Sequence, residues 1–127
     1  MRIVIVEDND NLCDQIVEYF RRRHHDVMAC GSVAAAQAVL ESMLARDRPP
    51  EAVICDAGLP DGDGVGIYLD FAMRTPSCRW VLMSGGHDPV RLESRFKGLS
   101  GLPAYIVVEK PIRLRVLLQL LEGKPAS

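Results

Sequence analysis

The sequence predicts an α/β fold in which βα units repeat to build a parallel, five-stranded sheet with helices on both faces. Three observations carry that prediction. Short apolar runs alternate along the chain with segments of helical period. Runs such as Ile3-Val4-Ile5-Val6 and Val81-Leu82-Met83 are continuously apolar, as strands covered on both faces are. Chemically active side chains recur where those runs stop: Glu7-Asp8, Asp56, Ser84 and Lys110.

The elements follow in order. After the strand at 3–6, Asn9-Asp10-Asn11 supplies capping oxygens, and Leu12, Ile16, Val17 and Phe20 follow at helical spacing. Cations from Arg21 to His25 suit the end of that helix. We read 26–30 as a short strand. Ser32 caps a helix to about Leu44, with Val33, Ala36, Leu40 and Met43 on one face. Pro49-Pro50 breaks the chain before the strand at 53–55. A third helix covers Val65 to Met73, a strand 80–83, a fourth helix Pro89 to about Lys97, and a loop Gly98 to Pro103. The last strand, 105–108, leads to a Leu-rich helix from about Ile112 to Leu121, ended by Gly123 and Pro125. Right-handed crossovers make such a sheet parallel.

Bulk properties narrow the function. The chain has 127 residues, enough for one domain with its own core and no staples. Hydrophobic residues make up 48%, which argues against disorder. A formal net charge of -2 gives no electrostatic case for direct nucleic-acid or anionic-membrane binding. No apolar run has transmembrane length, and the chain enters a strand at once without a leader pattern, so a cytoplasmic location is expected. Cys13, Cys30, Cys55 and Cys78 form no CxxC pair and no zinc spacing; they read as reduced core residues.

The strand ends carry the chemistry. In open α/β sheets, ligands bind outside the carboxyl ends of the strands. Three carboxylates, Glu7, Asp8 and Asp56, would meet there. Two carboxylates ~4 Å apart repel by roughly 4 kcal/mol at an effective dielectric near 20, so such a cluster holds a proton or a cation. Hard oxygen donors with open positions suit Mg²⁺. A carboxylate beside that ion can accept a phosphoryl group, with Lys110 and the Ser84 hydroxyl available to the other phosphoryl oxygens. The backbone carbonyl of Gly58 could also approach the metal.

At this point the chain resembles the receiver domain of two-component response regulators. The residues that carry the resemblance are IVIVED at 3–8, DAGLPDGDG at 56–64, LMSG at 82–85 and EKP at 109–111. They occur in order across essentially the whole chain. The resemblance implies a flavodoxin-like, CheY-like (βα)5 fold with strand order 2-1-3-4-5 and a single receiver domain over 1–127 without an output domain. It implies Asp56 as phosphoacceptor, Glu7 and Asp8 with Asp56 and the Gly58 carbonyl around Mg²⁺, Ser84 as switch hydroxyl, and Lys110 as the phosphoryl contact. It also implies a cis bond before Pro111. The implied donor is a phosphohistidine on a histidine kinase or phosphotransfer protein, and the implied output is a protein target. Such a chain is a signalling switch that catalyses only its own phosphorylation and dephosphorylation. Both a free-standing regulator and a receiver of a longer protein fit this sequence.

Two departures stand out. The aromatic residue usual three positions before the family's lysine is Val107 here, and Tyr105 lies on the same strand face. The stretch between Ser84 and Lys110 is longer than usual, with the surplus assigned to 98–103. In addition, the positions two beyond Asp56 and Ser84, which influence phosphoryl hydrolysis in the family, are Gly58 and Gly86. Neither side chain can orient water, so unusually fast self-dephosphorylation is not expected.

Other readings are weaker. A calcium loop starting at Asp61 fails because Val65 and Ala72 stand where ligands are needed; Asp61 and Asp63 read as turn formers. A phosphatase with an Asp nucleophile would want an acid at Gly58. A phosphorylation-independent binding module on the same fold is the alternative, and the intact set of Asp56, Ser84 and Lys110 argues against it. His24 and His25 read as exposed at a helix end, His87 as incidental, Arg21–Arg23 as a solvated face, and Trp80 as packing at the sheet edge.

Overall fold

The computed structural model describes residues 1–85, 92 and 94–123. Five parallel strands form the sheet: β1 (Arg2–Val6), β2 (Asp26–Cys30), β3 (Ala52–Asp56), β6 (Arg79–Ser84) and β7 (Tyr105–Glu109). A small antiparallel hairpin, β4 (Gly58–Leu59) with β5 (Gly62–Asp63), follows β3. The sheet order is β2-β1-β3-β6-β7. With the hairpin set aside, this is the expected 2-1-3-4-5.

Helices pack on both faces: α1 (Asp10–Arg21), α2 (Val33–Ala45), α3 (Gly64–Phe71) and α4 (Leu114–Glu122). One core lies between the sheet and α1 with α4, where Ile16, Phe20, Leu117 and Leu121 cover Ile5, Ile54 and Val81. The other lies beneath α2 and α3, where Leu40, Ile67 and Tyr68 cover Val4, Val53 and Leu82. Central strands are buried on both faces, which is why their sequences do not alternate. Much of the expected fourth helix, and Gly86 and His87, lie outside the described residues; Leu92 and 94–96 are helical.

Local chemistry sets the helix ends. Asn9 accepts from the Leu12 amide and Ser32 from the Ala35 amide, each satisfying a first-turn N–H. After α2, Asp47 takes φ 55, and the Arg48 amide reaches back to the Met43 carbonyl at 2.9 Å. With the Asp47 amide bonded to Leu44, this is a Schellman turn built without glycine. Gly123 closes α4 at φ 70.

Some expectations need correction. Trp80 is not at the sheet edge. Its strand lies between β3 and β7, the ring is buried, and the indole N–H donates to the Thr75 hydroxyl at 3.2 Å. An indole so deep needs that acceptor. His24 is exposed, but His25 is half-buried; it packs edge-on to Phe20 and meets the Met1 amino group at 2.9 Å. The last helix starts at Leu114, not near Ile112, because Arg113 keeps an extended backbone. Arg21 is exposed as expected, yet its guanidinium donates to the Val27 carbonyl at 3.1 Å and so occupies one acceptor of the edge strand β2.

Candidate functional site

The carboxyl ends of β1, β3 and β7 place three charged groups together. Period-2 alternation sends Glu7, Asp56 and Lys110 to the sheet face that α1 and α4 cover. The Lys110 ammonium donates to Glu7 Oε1 at 2.7 Å and to Asp56 Oδ2 at 2.8 Å. The Glu7 side chain is 0% exposed, that of Asp56 8% and that of Lys110 28%. The two carboxylates are thus nearly dry and the lysine is reached by water. The Gly58 amide donates to Asp56 Oδ1 at 3.1 Å, and the Asn9 amide to Glu7 Oε2 at 3.1 Å. Lys110-Pro111 is cis, as expected.

Burial pushes the Glu7 carboxyl above its usual range; Lys110 pulls it down, and the hydrogen-bonding and charge contacts with Asp56 push it up again. Burial works against the Lys110 ammonium, but its hydrogen bonds to Asp56 and Glu7 outweigh that and hold it above its ordinary value.

Asp8 is exposed and points to the same crevice. One carboxylate oxygen from each of Glu7, Asp8 and Asp56 lies within 4.8 Å of the others. Three hard oxygen donors converging on a solvent-open mouth fit a Mg²⁺ ion that keeps several waters. Gly58 is exposed, and a Cβ there would meet nothing within 4 Å, so its backbone is open to approach.

Ser84 is fully buried at the end of β6 and donates to the Gly85 carbonyl at 3.1 Å. Among the described residues no hydrogen bond joins its hydroxyl to Asp56 or Lys110. The two strand tips are nevertheless tied, since the Lys110 amide donates to the Ser84 carbonyl at 2.8 Å.

Val107 is 43% exposed. Tyr105 pairs across the ladder with Trp80, four residues before Ser84, or roughly 13 Å from it along the strand. Its ring stacks on Phe96 at 4.4 Å and meets Tyr68 edge-on at 5.2 Å. Tyr105 is therefore part of an aromatic cluster below the site, in contact with the helical segment at 94–96.

Three residues were undervalued by the sequence reading. Asp61 is more than a turn former. From the hairpin tip its carboxylate accepts from the Val33 amide at 2.8 Å and the Ala34 amide at 3.0 Å, capping α2 across the fold. Those bonds hold its carboxyl below the usual aspartate range. A carboxyl held low contributes stability above its unfolded value, near ~3.9, that is lost as pH falls through the folded value. Asp61→Asn should therefore lower the midpoint of thermal unfolding at pH 7, and the gap from the parent should close as the pH is taken below 4 by scanning calorimetry.

Asp63 caps α3 through the Gly66 amide at 2.7 Å and pairs with Arg95. Gly64 is forced by space: a Cβ there would stand 2.2 Å from the Asp56 carbonyl oxygen and 2.7 Å from Cys55 Sγ. Gly64→Ala should destabilise the fold by about 3 kcal/mol in urea unfolding, at the upper end of ordinary overpacking because backbone must move. The DGDG run at 61–64 was the available signal, but it does not say which residue meets which partner. Cys55 is buried beside the site, and burial raises its thiol far above the reactive range. That agrees with the reading of Cys55 as a reduced core residue.

A flavodoxin-like sheet whose strand ends hold an acidic cluster bridged by lysine is an α/β protein with a charged crevice at the carboxyl ends of its strands. Comparison with known proteins gives the family. The profile described as "Response regulator receiver domain" matches residues 3–122, and the chain belongs to that family. It is similar to the transcriptional regulatory protein AruR of Pseudomonas aeruginosa, 26% identical over 117 residues covering 91% of this chain and 46% of AruR. It is also similar to the photosynthetic apparatus regulatory protein RegA of Cereibacter sphaeroides, 26% identical over 83 residues, or 65% of this chain and 42% of RegA. The chain thus spans less than half the length of these curated relatives.

Among solved structures, a response regulator receiver protein from Sinorhizobium medicae superposes with TM-score 0.80 at 22% identity, covering 97% of this chain and 92% of that one. The receiver domain of NtrX from Brucella abortus does so with TM-score 0.74 at 22% identity, covering 95% of each. These likenesses support the fold. No helix among the described residues is long and apolar enough to cross a membrane.

Proposed function

We propose that this chain is a phosphorelay switch in which Asp56 accepts a phosphoryl group from a phosphohistidine donor, with Mg²⁺ held by Glu7, Asp8, Asp56 and the Gly58 carbonyl. One observation carries the reading: Lys110 Nζ lies 2.7 Å from Glu7 and 2.8 Å from Asp56 at a water-accessible strand edge, with Asp8 beside them. A buried Asp with a cation already on one oxygen and a backbone N–H on the other is arranged to carry charge there.

Each residue has a physical task. An Asp56 carboxylate oxygen forms the new O–P bond while the P–N bond to the donor imidazole breaks; the imidazole leaves with that electron pair and takes a proton. Lys110 moves from neutralising Asp56 to contacting a phosphoryl oxygen. Gly58, with no side chain, leaves the approach open. The Ser84 hydroxyl would have to leave the Gly85 carbonyl to donate to the phosphoryl group, and that exchange is the switch. Bound Mg²⁺ supplies charge neutralisation and orientation of phosphoryl oxygens. A histidine kinase or phosphotransfer protein in the cytoplasm is the donor, and a protein target receives the signal.

Intact-mass measurement after incubation with acetyl phosphate tests the reading. One added phosphoryl group that requires Mg²⁺ supports it. A folded protein with no adduct and no beryllofluoride binding would point instead to a phosphorylation-independent binding module.

A further inference from the structure

A second surface lies at the opposite end of the molecule from Asp56. There the outer face of α2 and the edge strand β2 enclose a groove of about 610 Å³. Its floor is apolar: Met28, Val39 and Met43 line it, with Met28 47% exposed on the edge strand of the sheet. Ala38 and Ser42, one helical turn apart on α2, leave room for another backbone to come close. The rim is basic. Arg46 and Arg48 line it, both are exposed, and among the described residues neither makes an ion pair. Among the described residues, Asp26 is the one acidic residue lining the groove.

The rim is placed by the backbone. The Schellman turn at Asp47 reverses the chain after α2 and brings Arg48 back beside Met43. The third rim arginine, Arg2, is held by the Pro49 carbonyl at 3.0 Å and by Glu51 at 3.3 Å, so it is already committed. Arg46 and Arg48 are the groups left for an outside partner. Exposed methionines present an adaptable apolar surface, and planar guanidiniums favour carboxylates in paired geometry.

From this charge complementarity we propose that the α2–β2 groove docks an acidic amphipathic helix of a partner protein, with apolar residues at i and i+4 on Met28 and Met43 and carboxylates on Arg46 and Arg48. A helix suits the groove better than an added strand, because Arg21 already occupies the Val27 carbonyl on the β2 edge. The groove meets the amino ends of β1 and β2, whereas Asp56 ends β3 at the other side of the sheet. Docking there is accordingly independent of the phosphorylation state.

The test uses the full chain with ¹³C-methyl methionine and a panel of helical peptides carrying Leu at i and i+4 flanked by Glu, with Lys-for-Glu versions as controls. The expected result is saturable movement of the Met28 and Met43 methyl signals with the acidic peptides, weakened about tenfold or more by the exposed pair R46E/R48E, and unchanged in Asp56→Ala. Equal response to the Lys peptides, no response at millimolar peptide, or binding that survives R46E/R48E overturns the proposal. So does preferential movement of the same signals by anionic vesicles, which would make the surface a lipid site, or concentration-dependent self-association without peptide, which would make it a contact between copies.

Discussion

Asp56→Ala should abolish the phosphoryl adduct while leaving a folded protein. This is the largest functional effect expected of any single substitution, because no neighbouring group can take over. Glu7 is a carboxylate too, but its side chain is 0% exposed and both oxygens are engaged, by Lys110 and by the Asn9 amide. Asp8 is exposed at the end of a different strand and lacks a bond to Lys110. Stability should change little or even rise, since the substitution removes one member of a crowded acidic cluster and leaves Lys110 paired with Glu7 alone. Intact mass with acetyl phosphate, read beside thermal unfolding, separates the two effects. A phosphoryl group still found on the Asp56→Ala protein would sink the assignment of Asp56.

How much of this was legible beforehand depended on the kind of interaction. The sheet order was implied by the resemblance to receiver domains, whereas the meeting of Glu7, Asp56 and Lys110 followed from their positions at strand ends, a local property that topology then multiplies. Helix caps at Asn9 and Ser32 were legible for the same reason: donor and acceptor lie three residues apart. The Asp61 clamp on α2 was not, because its partners are 28 and 27 residues away and an Asp beside a Gly reads first as a turn. Trp80 was misplaced since an aromatic beside Arg79 resembles an edge residue, even though the expected strand order already makes its strand internal, as observed. The Ser84 hydroxyl was assigned correctly to a strand end, but its bond to Gly85 depends on a rotamer that sequence does not encode.

Lys110→Met should give the largest stability effect among the charged groups of the site and should make that effect depend on Mg²⁺. The substitution keeps the apolar stem and removes the ammonium, leaving the Glu7 and Asp56 carboxylates facing each other with almost no water access. Breaking a fully buried pair costs about 3–5 kcal/mol; with Lys110 partly reached by water, roughly 2–3 kcal/mol is expected in EDTA. The cluster then lacks its resident cation, so Mg²⁺ meets less competing positive charge and binds more tightly than in the parent. Selective binding to the folded state adds RT ln(1 + [L]/Kd), about 2.7 kcal/mol at a hundred times Kd, which is enough to return most of the loss. Urea unfolding in EDTA and in saturating Mg²⁺, for parent and variant, measures both quantities. A variant as stable as the parent in EDTA would mean that water screens the carboxylates, and that the ammonium is not what holds the carboxylate cluster together. A variant destabilised equally with and without Mg²⁺ would mean that the three carboxylates are not the metal's ligands.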